Sequence, residues 1–136
     1  MSDCPGGPDC TCSNDKTCTC ADSGGCGFAC ETDGCNLTCG TDAICQGSCG
    51  KDCNVSCPEG SNCDIALGVD GDMSCTNADC EIAASDEADV TCDGGSCNVT
   101  CEGACDVACL NGAKCQIKCA GETEFKPVET AGKCEG

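Results

Sequence analysis

A cysteine stands at both ends of a five-residue unit, Cys-polar-apolar-small-Cys, that returns along most of this chain. It reads CGFAC (26–30), CNLTC (35–39), CQGSC (45–49), CNVSC (53–57), CNVTC (97–101), CDVAC (105–109) and CQIKC (115–119). Degenerate copies fill the middle: CDIAL (63–67), GDMSC (71–75), CEIAA (80–84) and ADVTC (88–92). PDCTC (8–12) and KTCTC (16–20) extend the series toward the N-terminus. Within a copy the first, third and fifth residues are Cys, apolar and Cys, and the second and fourth are polar or small. That is period two, so each copy reads as a short strand with its odd positions on one face. A helix would turn the third residue away from the two cysteines.

The linkers alternate in length. Short ones, mostly three residues, follow longer ones of four or five, so two strands and two unlike turns make one coil of 17 or 18 residues. Same-type copies start at 35, 53, 71, 88 and 105 on one side and at 45, 63, 80, 97 and 115 on the other. The expected fold is all-β: a flattened two-sheet, disulfide-rich β-solenoid of about six coils, each with two short strands stacked in parallel on the next. Residues 1–7 form an N-terminal extension, 8–119 the solenoid, and 120–136, with Phe125, Pro127 and Cys134, a C-terminal cap. Gly, Asp, Asn and Ser fill the linkers, as turns demand.

Composition explains why crosslinks must carry this fold. Of 136 residues, 24 are Cys, while Leu, Ile, Val and Phe together number 15, at a net charge of -18. Without the cysteines that balance describes a disordered chain, because too little apolar surface is buried to offset chain entropy. Disulfides or metal must supply the difference.

Spacing limits how the cysteines pair. Two cysteines at the ends of one extended copy lie about 13 Å apart, too far for a disulfide. Pairing across a turn is feasible and gives Cys30–Cys35, Cys39–Cys45, Cys49–Cys53, Cys57–Cys63, Cys75–Cys80, Cys92–Cys97, Cys101–Cys105 and Cys109–Cys115. Cys4–Cys10, Cys12–Cys18, Cys20–Cys26 and Cys119–Cys134 complete the ends. Where cysteines are lost, at Leu67 with Gly71 and at Ala84 with Ala88, both ends of one turn are lost together. The rival scheme joins cysteines stacked in adjacent coils; it also removes these four as two pairs, but it leaves Cys105 without a natural partner.

Several function classes fall away. Arg, His, Trp and Tyr are absent, and six Lys face 24 acidic residues. Nucleic acid, which needs cations on phosphates and aromatic platforms under bases, is not an expected partner. No apolar stretch reaches membrane-spanning length, so no membrane insertion is expected. Catalysis lacks a His base and a C-x-x-C, and paired cysteines are not nucleophiles, so no enzyme is expected.

Three binding chemistries remain as alternatives. A metallothionein resembles this chain in its cysteine content, its lack of His and its C-x-C spacing at Cys10/Cys12 and Cys18/Cys20, which would make it a thiolate metal binder. Metallothioneins lack the regularly spaced Val and Ile. Acidic residues recur at the short turns, Asp15, Asp33, Asp52, Asp70 and Glu87, beside an outward column of Asp72, Asp89 and Asp106. Asp52, Asp70, Asp72 and Asp89 are candidate Ca²⁺ ligands, and calcium is the one cofactor this pattern suggests. The coil length is similar to that of calcium-binding RTX β-rolls, whose GGxGxD turn is missing here. An outward series of Thr38, Ser56, Ser74 and Thr91 is similar in general design to insect ice-binding solenoids. Asn36, Asn54 and Asn98 head N-x-S/T sequons that the repeat itself generates.

The repeat resembles the C-x-Φ-x-C arrays of cysteine-rich extracellular repeat proteins of bacteria, over residues 8–119. That resemblance implies a secreted or cell-surface structural or adhesive protein, a subunit of an extracellular fibre or surface assembly. Its partners would be a second copy, met end to end, or a surface polymer. Dense cysteine usage belongs to an oxidising compartment, and MSDCPGGPDC carries no export leader; the expectation is that a signal peptide has been removed.

Overall fold

The computed structural model describes residues 3–4, 10–13, 17–20, 22–30 and 33–134, with side chains from residue 19 onward among these. Every regular element among them is a β-strand. In chain order, one face of the solenoid is built by β1 (Asp3–Cys4), β3 (Thr17–Cys20), β5 (Asn36–Thr38) and β7 (Asn54–Cys57). The opposite face is built by β2 (Cys10–Ser13), β4 (Gly25–Cys30), β6 (Ile44–Cys49) and β8 (Asn62–Leu67). Then β9 (Asp72–Ala84) and β10 (Ala88–Cys101) each run along the first face, round the corner and along the second. The last coil has β11 (Cys105–Leu110) on the first face and β12 (Lys114–Lys118) on the second. All pairings between coils are parallel, and the chain winds through about six turns.

Parallel stacking without register slip places like on like. On the first face Leu37, Val55, Met73, Val90 and Val107 form one inward column. On the second, Ile65, Ile82, Val99 and Ile117 form the other. All nine are buried, and with the cysteines they make one continuous core. A one-residue slip would turn every one of them to solvent, so the register is fixed by burial.

One rung of the second column breaks the pattern. Gly47 stands where an apolar side chain is expected, paired with Phe28 of the preceding coil. A Cβ at Gly47 would lie 2.0 Å from the Phe28 carbonyl oxygen, and its φ is +152°. The buried Phe28 supplies the bulk that Gly47 lacks, and the two backbones close together.

The corners explain the linker composition. Asp42, Asp52, Asp70, Asn77, Glu87 and Asn111 hold positive φ, a conformation that Asp and Asn tolerate better than most residues. In the longer turns small residues point inward at Ala43, Ser61 and Ala78, all buried; Gly95, exposed, follows in register with Ala78. Ser61, 1% exposed, donates its hydroxyl to the Pro58 carbonyl oxygen at 2.6 Å. Larger side chains would collide with the neighbouring turn: a Cβ on Gly95 would meet the Ala78 carbonyl oxygen at 2.3 Å.

The C-terminal segment reverses direction. β13 (Lys126–Val128) pairs antiparallel with β12, and β14 (Ala131–Cys134) antiparallel with β11. Val128 is buried over the end of the core, and Gly132 leaves room for it, since a Cβ there would lie 2.7 Å from Val128 Cγ2. Lys126, Pro127 and Lys133 sit on these outermost strands, residue types that discourage further strand addition.

Three sequence expectations change at finer grain. Cys10 pairs with Cys26 and Cys12 with Phe28, so the first full copy begins at Cys10, two residues later than PDCTC implies. Asp3–Cys4, within the segment set apart as an extension, pairs in parallel with Thr19–Cys20. Asp33 does not belong to the short-turn acidic column: Asn36 pairs with Asn54, which places Gly34, not Asp33, level with Asp52.

Candidate functional site

Among the described residues, the chemistry lies in sulfur columns inside and carboxylate columns outside. The longer turns are closed by Cys20–Cys26, Cys39–Cys45, Cys57–Cys63, Cys75–Cys80, Cys92–Cys97 and Cys109–Cys115. The shorter turns are closed by Cys30–Cys35, Cys49–Cys53 and Cys101–Cys105. Cys119–Cys134 ties the cap to the last coil. Their Cα–Cα distances run from 5.5 to 6.7 Å, inside the range a disulfide spans. The side chains of Cys4, Cys10, Cys12 and Cys18 lie outside the described residues.

The two edges of the solenoid therefore differ. The longer-turn edge carries a rung in each coil from Cys20 to Cys115. The shorter-turn edge is interrupted by Leu67 with Gly71 and by Ala84 with Ala88, all four buried. Apolar packing replaces covalent closure in two successive coils.

Sulfurs of adjacent coils approach one another closely. The Sγ atoms of Cys39, Cys45 and Cys63 all lie within 4.8 Å of one another, as do those of Cys57, Cys63 and Cys80, and those of Cys75, Cys80 and Cys97. Cys101, Cys105 and Cys134 form a fourth such set at the cap. Each sulfur in these sets is engaged in a disulfide.

The carboxylates divide into two kinds. Some corner residues accept a hydrogen bond from the next coil: Asp22 from the Thr41 N–H, Asp86 from the Ala104 N–H, Asp79 from the Ser96 hydroxyl and Asp93 from the Asn111 amide. These fasten coils together. Others face mostly like charge, though Lys133 Nζ comes within 3.9 Å of Asp106 Oδ1. Asp72, Asp89 and Asp106 stack in register on the first face. Partial burial, and then the flanking Asp72 and Asp106, hold the Asp89 carboxyl above the usual range. Asp70 and Glu87 occupy consecutive short turns, and Asp70, with a smaller effect from Asp86, raises the Glu87 carboxyl.

Of the calcium candidates, Asp72 and Asp89 are thus neighbours in one column, and Asp52 and Asp70 are corner residues. Among the described residues, the sets of three ligand atoms within 4.8 Å are all cysteines, and no carboxylate trio converges as a Ca²⁺ cage requires. The sequons Asn36 and Asn54 stack, the Asn54 amide donating to Asn36 Oδ1 at 3.2 Å. Thr38, Ser56, Ser74 and Thr91 form one column, flanked by the Asn and Asp column rather than by a second row of threonines.

The second face carries a shallow open groove of about 410 Å³ lined by Gln46, Asp64, Glu81 and Asn98 from four successive coils, with Ile44 exposed at its border. Toward the cap it leads to Phe125, whose ring takes the Lys118 ammonium at 5.0 Å. The spacing of chemically repeated groups, one per coil, was legible in the repeat. The corner acceptors and the buried Ala43, Ser61 and Ala78 column were not, although a small residue two places before each longer-turn cysteine was the available signal. Among the described residues, no helix is long and apolar enough to cross a membrane. The chain matches no known family model, no curated protein and no solved structure.

Proposed function

We propose that this protein is a secreted or cell-surface structural rod, without catalytic activity, that presents its outward columns to a surface or polymer. The observation that carries this reading is the unbroken register of the outward polar columns, from Asn36 through Asn54, Asp72 and Asp89 to Asp106. A repeated partner can meet such a surface with the same contact in coil after coil, so weak contacts add by multivalency. Closure of most turns by disulfides fits an oxidising environment, where they persist, and gives a thin core the resistance an exposed protein needs. End-to-end contact runs through the parallel edges of β1 and β2, since the other end is covered by reversed strands.

The test uses the fully oxidised protein: sedimentation velocity over a wide concentration range, with co-sedimentation against insoluble polysaccharides and cell-wall fractions. Concentration-dependent association or retention on a polymer supports the reading. A protein that stays monomeric throughout and leaves every surface in the supernatant sinks it.

A thiolate metal binder is the second reading, favoured by the four close cysteine sets. It requires those disulfides to be open. Thiol titration and elemental analysis on the purified protein separate the two: the rod has no reactive thiol and no stoichiometric metal, whereas the metal binder has both.

A further inference from the structure

Three of the four close sulfur sets are not isolated. They share Cys63 and Cys80, so they join into one chain of contacts along the longer-turn edge. In each set, the cysteine that begins the turn of one coil (Cys39, Cys57 or Cys75) lies within 4.8 Å of the cysteine that ends the turn of the next (Cys63, Cys80 or Cys97). Those target cysteines are themselves bonded, to Cys57, Cys75 and Cys92 respectively.

We propose that the longer-turn disulfides form a thiolate relay, along which a sulfur freed in one coil is passed to the next by successive thiol–disulfide exchange. An external thiolate that attacks Cys45 forms a mixed disulfide there and releases Cys39 as thiolate. Cys39 attacks Cys63 Sγ; the Cys39–Cys63 bond forms, the Cys57–Cys63 bond breaks and Cys57 leaves as thiolate. Cys57 attacks Cys80, releasing Cys75, and Cys75 attacks Cys97, releasing Cys92. Each step makes one S–S bond and breaks one, with no net oxidation or reduction, and the last thiolate takes a proton from water. The new bonds join adjacent coils, so reductive attack exchanges a closed turn for a link between coils and does not cut the rod.

Among the described residues, the close sulfur sets that link into a chain all lie on the longer-turn edge. After Cys49–Cys53 the next two coils present Leu67 with Gly71 and Ala84 with Ala88, where no sulfur stands to be attacked. The relay therefore belongs to one edge, and its extent is set by which turns keep their cysteines.

The test needs no reductant. Cys45→Ser leaves Cys39 without its partner. The oxidised variant is held at mildly alkaline pH, quenched in acid, alkylated and mapped by mass spectrometry without reduction. Most of the label is expected on Cys57, Cys75 and Cys92, with crosslinked peptides Cys39–Cys63, Cys57–Cys80 and Cys75–Cys97. The triple variant Cys45→Ser, Cys57→Ala, Cys63→Ala removes the adjacent rung, as Leu67 and Gly71 do naturally, and should keep the label on Cys39. Label confined to Cys39 in the single variant, or spread over cysteines outside the relay, overturns the proposal. Should the single variant not fold, wild-type protein treated with substoichiometric small dithiol decides. Inter-coil peptides support the relay, and label only on the two cysteines of one turn refutes it.

Discussion

Leu67 packs directly against Gly71: a Cβ placed on the glycine would lie 3.2 Å from both Leu67 Cβ and Leu67 Cδ2. The pair occupies a corner that other short turns close with sulfur, and one large and one absent side chain fill the space of a disulfide.

That corner can accept a rung. The equivalent pairs Cys49–Cys53 and Cys101–Cys105 have the same sequence separation, 4, with Cα–Cα distances of 6.0 and 6.2 Å. Leu67→Cys with Gly71→Cys should form a disulfide, seen as the loss of two hydrogens in intact mass. It should raise the denaturant midpoint by an amount corresponding to about 2 kcal/mol. Leu67→Ala alone should cost about 3 kcal/mol, because it empties a fully buried site with no sulfur to replace it.

Gly47→Ala should be among the most damaging single changes. Its methyl group would press on the Phe28 backbone, and the clash is with main chain, so truncating the Phe28 ring gives no relief. A loss of about 3 kcal/mol is expected, read as a lowered midpoint that Phe28→Ala added to the same chain fails to restore.

Acid should stabilise the protein before it harms it. Glu87 and Asp89 have carboxyls raised in the folded state, by Asp70 and by burial first, respectively. A raised carboxyl holds its proton more tightly folded than unfolded. Folding stability therefore increases as pH falls through the raised value, and the gain is complete below the ordinary carboxylate range, about 4. Glu122 works in the opposite sense: hydrogen bonds from Lys126 and the Cys119 N–H lower it, and its contribution is lost as pH falls through that lowered value. Chemical denaturation from pH 7 downward should thus show a midpoint that first rises and then falls. Glu87→Gln, which removes one of the stacked charges, should flatten the rise.

Complete reduction should unfold the chain under conditions in which the oxidised form withstands heating. The inward columns are thin, and closed turns limit the entropy that the unfolded state regains. Loss of the β-sheet circular dichroism signal on adding reductant, without denaturant, is the expected result. A reduced protein that keeps its sheet signal would show that the apolar columns suffice alone.

The repeat carried most of the architecture into the sequence, because alternation, turn length and paired loss of cysteine each report on a different geometric constraint. Alternation separates inside from outside, the two turn lengths separate the two faces, and the paired losses fit turn closure, the scheme that also gives Cys105 a partner. The register of Cys10 and Cys12 escaped for a definite reason. A shift of two residues preserves strand parity, so both alignments satisfy the alternation and only the pairing with Cys26 and Phe28 separates them. That cysteines stack in adjacent coils was legible in the repeat, but which sulfurs approach across the stack was not, because that depends on side-chain position and not on spacing along the chain. The outward columns were legible as positions, but not which carboxylates would be tied down: Asp79 and Asp86 find donors in the next coil, whereas Asp89 finds only other acids.

The reversed strands at Lys126–Val128 and Ala131–Cys134 make the two ends of the rod unlike. A coil arriving before Cys10, from this chain or another, meets strands running in the direction it needs. A coil arriving beyond the cap meets strands running the wrong way, edged by Lys126, Pro127 and Lys133. Under the proposed end-to-end contact, two copies joined through β1 and β2 would bury both of those edges and leave only capped ends. Stacking of that kind would count to two and stop, and a longer assembly would be woven sideways, through the columns on the faces.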